Sequence, residues 1–260
     1  MSKTKGVKLA WCMIVKPTDD EAELLARALK YIAPHVDGIF LTITGKNKRC
    51  EEVAAAFNAH VSYFEWCHDF SAARNFNFSQ VPDEYTHIGW CDCDDAVRNA
   101  DKLKPTIQAH PEVDCFTLNY LYAFDERKNP TVVHLKTRIL KNDKCVEWVG
   151  ALHEDFKENR EVKRYFVNGI DILHLSNTER FAAAKTRNVD VSRKDMEKNP
   201  DDPRSYWNLG NSLFAAGETD EAIKMFDRFM ALSRSDEEKY IIRLRIAEAI
   251  FSKGEKDRAL

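Results

Sequence analysis

The chain has 260 residues, 44% hydrophobic and 31% charged, the composition of a folded protein long enough for one large domain or two modest ones. Its 39 Lys and Arg against 42 Asp and Glu leave a formal charge of -3, so no overall positive field exists to hold a nucleic-acid backbone or an anionic membrane. No apolar stretch approaches the roughly 20 residues that cross a bilayer, and no signal-peptide core follows the polar start, so a cytoplasmic chain without a membrane span is expected.

In chain order, Val7 to Val15 reads as a buried strand and Asp19 to Ile32 as an amphipathic helix, with Leu24, Leu25, Ala28, Leu29 and Ile32 at helical spacing. Gly38 to Thr44 supplies a second strand, which completes a β-α-β unit. A helix from Glu51 to Phe57, a strand from His60 to Trp66, a helix from Ser71 to Phe78 and a strand from Thr86 to Cys91 continue the alternation, which predicts a parallel sheet covered by helices. Asp114 to Phe124 and Val132 to Leu140 read as strands of a hairpin or mixed extension, and Glu161 to Leu175 as further strand material ending near His174. The first domain is expected to span residues 1–178.

The seven cysteines, odd in number and scattered, point to reduced thiols rather than a disulfide framework. Cys91 and Cys93 lack the second pair of a zinc site, so buried small apolar residues is the preferred reading. Between and after them stand Asp92, Asp94 and Asp95, at the carboxyl end of a strand, where open α/β sheets bind ligands. Three carboxylates so close repel one another, and either a divalent cation or exposure to water must relieve them. On a strand, side-chain alternation would point Asp92 and Asp94 the same way.

From residue 179 to 260 the chain turns helical. Arg180 to Lys198 reads as one helix, Asn199 to Pro203 as punctuation, and the run from Trp207 to Ala222 recurs 37 positions later as Leu244 to Ala259. Tyr206, Leu209, Gly210, Gly217, Ala222 and Phe226 resemble the tetratricopeptide pattern, with Leu213 in place of its usual tyrosine. The second copy stops where its second helix should begin, as in a truncated repeat array. Such repeats are expected to contact an acceptor, a protein partner or a second copy of the chain.

The stretch from Phe64 to Asp95, with Asp69-Phe70-Ser71-Ala72-Ala73-Arg74-Asn75 followed by a strand and Asp-x-Asp-Asp, resembles the central block of family 2 glycosyltransferases, which have a GT-A fold. Thr137 to Lys141, Trp148-Val149-Gly150, Leu152-His153-Glu154 and Ile172-Leu173-His174 extend the resemblance, and Lys185 to Asn188 looks like the linker helix of relatives that carry tetratricopeptide repeats. The resemblance implies an α/β GT-A domain followed by an all-α region, and a metal-dependent, inverting transfer from a nucleotide-sugar donor to a protein, peptide, glycan or lipid acceptor. It implies Mn2+ or Mg2+ held by Asp94 and Asp95, with His174 either completing the set or packed as an ordinary core histidine.

On the donor side the resemblance implies Lys16, Thr44, Arg74 and Asp92, with Arg74 either a phosphate fork or a salt bridge to Asp69 or Asp92. Glu154, with Asp155 next, is the candidate base, beside His153 and Trp148 on the acceptor side, where Trp148 either stacks on a sugar or simply packs. The Thr42 to Lys46 loop lacks the acid that relatives carry after the second strand, so uridine is favoured by the family alone. Two other readings are a non-catalytic adaptor working through its repeats and a nucleotidyltransferase, for which the chain has no Gly-rich phosphate loop.

Overall fold

The computed structural model describes residues 6–175 and 178–254. The chain divides into two compact units. One comprises Met1–Cys67, Ala72–Val149 and Asp155–Ser176; the other comprises His68–Ser71, Gly150–Glu154 and Asn177–Leu260.

In the first unit, strand β1 (Leu9–Val15) leads into helix α1 (Asp19–Ile32), whose start is fixed by Thr18: its side chain accepts from the Glu21 N–H at 3.3 Å. Ala22, Leu25, Ala28, Leu29 and Ile32 are buried, which is the face the helical spacing predicts. Strand β2 (Gly38–Ile43), helix α2 (Lys48–Ala56), whose N-cap Asn47 accepts from the Cys50 N–H through its side-chain Oδ1 at 2.9 Å, and strand β3 (His60–Tyr63) follow. After helix α3 (Phe70–Ser79) come strands β4 (His87–Trp90) and β5 (Asp95–Arg98), helix α4 (Leu103–Ala109), and strands β6 (Cys115–Phe124), β7 (Pro130–Lys141), β8 (Val146–Val149), β9 (Asp155–Glu158) and β10 (Arg164–His174).

The eight-stranded sheet runs β3-β2-β1-β4-β7-β6-β10-β5, and β8 and β9 form a separate antiparallel pair. The fold is α/β, yet the sheet is not uniformly parallel. Strands β3, β2, β1 and β4 are parallel neighbours, whereas β7 is antiparallel to both β4 and β6, and β5 is antiparallel to β10. The physical reason lies in the connections: only five residues separate β6 from β7, too few for the crossover a parallel pair requires.

Two apolar layers sandwich this sheet. Leu9, Trp11, Met13 and Val15 face one of them with α1, while Ala10 and Cys12 face the other with Ile88, Trp90 and Trp148. Gly89 is required here, because a Cβ at that position would lie 2.3 Å from the Trp11 ring. Cys91 and Cys93 are both 1% exposed, and burial pushes both thiols up, so they are protonated packing residues.

The second unit contains helices α5 (Thr178–Lys198), α6 (Pro203–Ala216), α7 (Thr219–Leu232) and α8 (Asp236–Ser252). Its hairpin turn is closed by Gly217 at φ 88°, a left-handed position that suits glycine. A Cβ on Gly210 would meet Phe226 at 2.4 Å, so α6 and α7 touch at the small residue and the aromatic that the repeat pattern singled out. The counterparts of this turn's second helix, from Glu255 onward, lie outside the described residues. Among the described residues no helix is long and apolar enough to cross a membrane.

His87 on β4 is buried, its Nε2 has no hydrogen-bond partner among the described residues, and burial, with Lys141 nearby, pulls its pKa down to about 4. An unfolded histidine takes its proton near pH 6.5, so the unfolded chain binds more protons between pH 6.5 and 4. The stability this group contributes is therefore complete above pH 6.5 and lost as pH falls through that window. Thermal melts across it should show a steeper decline for the wild type than for His87→Gln; parallel curves would contradict the assignment.

Candidate metal and donor site

The acid cluster sits where β4 ends. Residues 92–95 do not continue as an extended strand: the Asp95 N–H donates to the Asp92 carbonyl at 3.1 Å, and an Asp95 carboxylate oxygen accepts from the Asp92 N–H at 3.1 Å. The strand alternation on which a common direction of Asp92 and Asp94 was expected is thus replaced by a turn. It separates the three acids into different surroundings.

Asp95 is fully buried and opens β5, which pairs with β10 so that His174 stands directly opposite it. His174 Nδ1 lies 3.3 Å from Asp95 Oδ1, 3.9 Å from Asp94 Oδ1 and 2.9 Å from the Tyr120 hydroxyl. One ligand atom each from Asp94, Asp95 and His174 falls within 4.8 Å of the others. Ligands about 2.1 Å from one divalent ion stand roughly 3 Å apart when adjacent, so this donor set fits such an ion after small shifts. Two carboxylates with one imidazole is also a chemically suitable set, and the nitrogen favours Mn2+ over Mg2+. Burial works to lower the His174 pKa, but the Asp95 hydrogen bond and the fields of Asp94, Asp95 and Asp92 outweigh it and raise it. An ion taking that nitrogen must displace the proton.

Asp92 belongs with Arg74. The Arg74 Nη2 donates to Asp92 Oδ1 at 2.8 Å, and the Asp92 side chain is 36% exposed against 9% for Arg74. Burial pushes the Asp92 carboxyl up, while Arg74 and Arg138 together more than cancel that and hold it below the usual carboxylate range. Of the two partners weighed for Arg74, Asp92 is therefore a partner in the structure. Asp69 belongs to the second unit.

The sequence by itself assigns no role to Arg138, which lies within the Thr137 to Lys141 segment. It is 1% exposed, its Nη2 is 3.5 Å from Asp95 Oδ2, and its Nε and Nη1 have no hydrogen-bond partner among the described residues. It is a buried cation set against a buried anion. The available signal is an arginine at the start of the apolar end of a strand, which a solvated arginine would match.

The remaining candidates separate. Lys16 is exposed just beyond β1, and the Thr44 hydroxyl donates to the Val15 carbonyl at 3.2 Å, so both stand at the carboxyl rim of β1 and β2. Trp148 is 4% exposed and packs against Trp90 at 4.8 Å and Phe156 at 4.0 Å, with Asn75 bonded to its backbone at both N–H and carbonyl. That geometry is packing, and the ring has no open face for a sugar. Asp155 is exposed at the start of β9 and accepts from the Phe156 N–H at 2.8 Å.

His153 and Glu154 belong to the second unit, on the segment Gly150–Glu154. There the Phe70 N–H donates to the Ala151 carbonyl at 3.0 Å, Ser71 Oγ to the Gly150 carbonyl at 2.6 Å and Asn208 Nδ2 to the Leu152 carbonyl at 3.4 Å. His153 is in the left-handed region at φ 56°.

No family model matches the chain. Over 68 residues, 26% of its length, it is 40% identical to a TPR repeat-containing protein of Synechococcus elongatus, of which the aligned stretch is 16%. Among solved structures it is similar to TarS of S. aureus, at 10% identity and a TM-score of 0.49, over 97% of this chain and 89% of that one. It is similar also to a mannosyltransferase of Pyrobaculum calidifontis in complex with GDP-Man and Mn2+, at 10% identity and 0.48, over 95% and 85%. A third is the 4-diphosphocytidyl-2C-methyl-D-erythritol synthase of Anaerococcus prevotii, at 10% and 0.39, over 62% and 87%. At these values the structural likenesses carry no argument about activity.

Breaking a buried ion pair by removing one partner costs about 3 kcal/mol or more. Arg138→Met should therefore destabilise the chain by that order in denaturant melts, and Asp95→Asn added to it should restore part of the loss. A double variant no more stable than Arg138→Met alone would contradict the pairing.

Proposed function

We propose that the chain is a metal-dependent glycosyltransferase that moves a sugar from a nucleotide-sugar donor, a UDP-sugar being favoured, to a hydroxyl of a protein, peptide, glycan or lipid acceptor, with inversion. The observation that supports this reading most is the convergence of Asp94, Asp95 and His174 at the carboxyl rim of the sheet, beside an arginine held on Asp92.

Asp94, Asp95 and His174 are the residues that would hold Mn2+ or Mg2+. When bound, such an ion supplies charge neutralisation for a departing nucleoside diphosphate. Arg74 adds a positive fork near the start of α3, suited to phosphate oxygens, and Asp92 orients donor hydroxyls through its exposed side. Lys16 and Thr44 serve the nucleotide end. Glu154 is the proposed base that takes the proton of the acceptor hydroxyl, with Asp155 its understudy. The repeats are the proposed surface for the acceptor or a partner protein. An adaptor without activity would not need two acids kept beside a histidine, and a nucleotidyltransferase would release pyrophosphate from a nucleoside triphosphate.

A thermal-shift assay with Mn2+ and UDP should raise the melting temperature of the wild type and leave Asp94→Asn unmoved. A screen of nucleotide sugars for donor hydrolysis with Mn2+ should identify the donor, with no turnover in Asp94→Asn. Glu154→Gln should keep the UDP shift and lose at least about a hundredfold in transfer. Full transfer by that variant, with loss in Asp155→Asn instead, would reassign the base; pyrophosphate release from a triphosphate would overturn the reading.

A further inference from the structure

Both cations that face the acid turn lie against one indole. The Arg74 guanidinium carbon is 4.5 Å from the centroid of the Trp90 ring, and that of Arg138 is 3.9 Å from it. Arg74 also lies 5.1 Å from the Trp148 ring and Arg138 4.5 Å from that of Tyr120. The indole itself is fixed: its N–H donates to the Thr137 carbonyl at 3.0 Å, and its ring meets Trp148 edge to face at 83°. Trp90 is 7% exposed and ends β4, two residues before Asp92.

A buried guanidinium ordinarily spends its five N–H donors on hydrogen bonds. Arg138 does not, since two of its nitrogens have no hydrogen-bond partner among the described residues and its ion pair is 3.5 Å long. Hydrogen bonding therefore leaves the orientation of that cation under-determined. The rings of Trp90 and Tyr120 supply the missing constraint, because a desolvated cation over an aromatic ring is attracted to its negative face.

We propose that Trp90 is a positioning residue for the candidate site: its ring holds Arg74 and Arg138 together against the acid turn, so that Arg74 stays on Asp92 and Arg138 on Asp95. Trp90 acts through the two arginines. Its effect on ligand binding rests on the function proposed above; the clamp itself does not.

The test replaces Trp90 in the full chain with mono-, di- and trifluorinated tryptophan, which keeps the shape while weakening the ring's attraction for cations. In the ligand-free protein, hydrogen exchange of the Arg74 and Arg138 side-chain N–H groups, assigned by NMR with Arg→Lys variants, should quicken with each fluorine, by about tenfold across the series. Trp90→Phe, which keeps a smaller ring and loses the Thr137 bond, should also exchange faster than the wild type. Exchange that is flat across the series would overturn the proposal. Mn2+ electron paramagnetic resonance titrations with UDP on the same proteins separate the two ideas. A graded exchange response in a protein that binds neither Mn2+ nor UDP would sink the glycosyltransferase reading and keep the clamp. A flat response with normal UDP binding would do the reverse.

Discussion

Three carboxylates within four residues at the end of a buried strand form the constraint on which this site depends. Like charges this close raise each other's pKa and push the chain apart unless something answers them. The structure answers each one differently. Asp92 meets Arg74, Asp95 meets Arg138 and His174, and Asp94 is brought toward the same imidazole. The donor atoms of Asp94, Asp95 and His174 converge within 4.8 Å of one another. That convergence of carboxylates and imidazole is the physical reason a divalent ion is expected there.

The fold is arranged to make this possible. Parallel pairing of β1 with β4 carries the chain to the carboxyl rim, and the absence of a side chain at Gly89 lets Trp11 fill the layer beneath. Antiparallel pairing of β5 with β10 then sets His174 opposite Asp95 in register, across 79 positions of sequence. Strand β7, antiparallel to β4, brings Arg138 and Thr137 beside Trp90. Each of these pairings delivers one member of the cluster, so a register slip of one residue in any of them would turn its contribution to the other face.

Much of this was legible in the sequence where one signal acted alone. The apolar period alone predicts Asp19–Ile32, the bounds the helix has. Gly210, Gly217 and Phe226 stood out as a helical hairpin for the same reason: small residues and an aromatic at fixed spacing leave little choice of packing. Legibility failed at one local turn and where distant elements decide. The turn at 92–95 replaces strand alternation because its hydrogen bonds close within the loop itself. Arg138 gave no hint of burial, since its strand begins with seven exposed residues and turns inward only at its end. The sequence leaves Trp148 open to stacking on a sugar or packing, and only the rings of Trp90 and Phe156 reveal that its faces are taken. Nor does any local pattern indicate that the Gly150–Glu154 segment groups with the helices of the second unit.

The central claim is that Asp94, Asp95 and His174 together grip one divalent ion. Anomalous diffraction at the manganese edge, from crystals grown with Mn2+ and UDP, tests it directly. The account predicts a single strong peak within about 2.5 Å of all three side chains. A peak bound elsewhere, or crystals that hold UDP with no manganese near these residues, would contradict it.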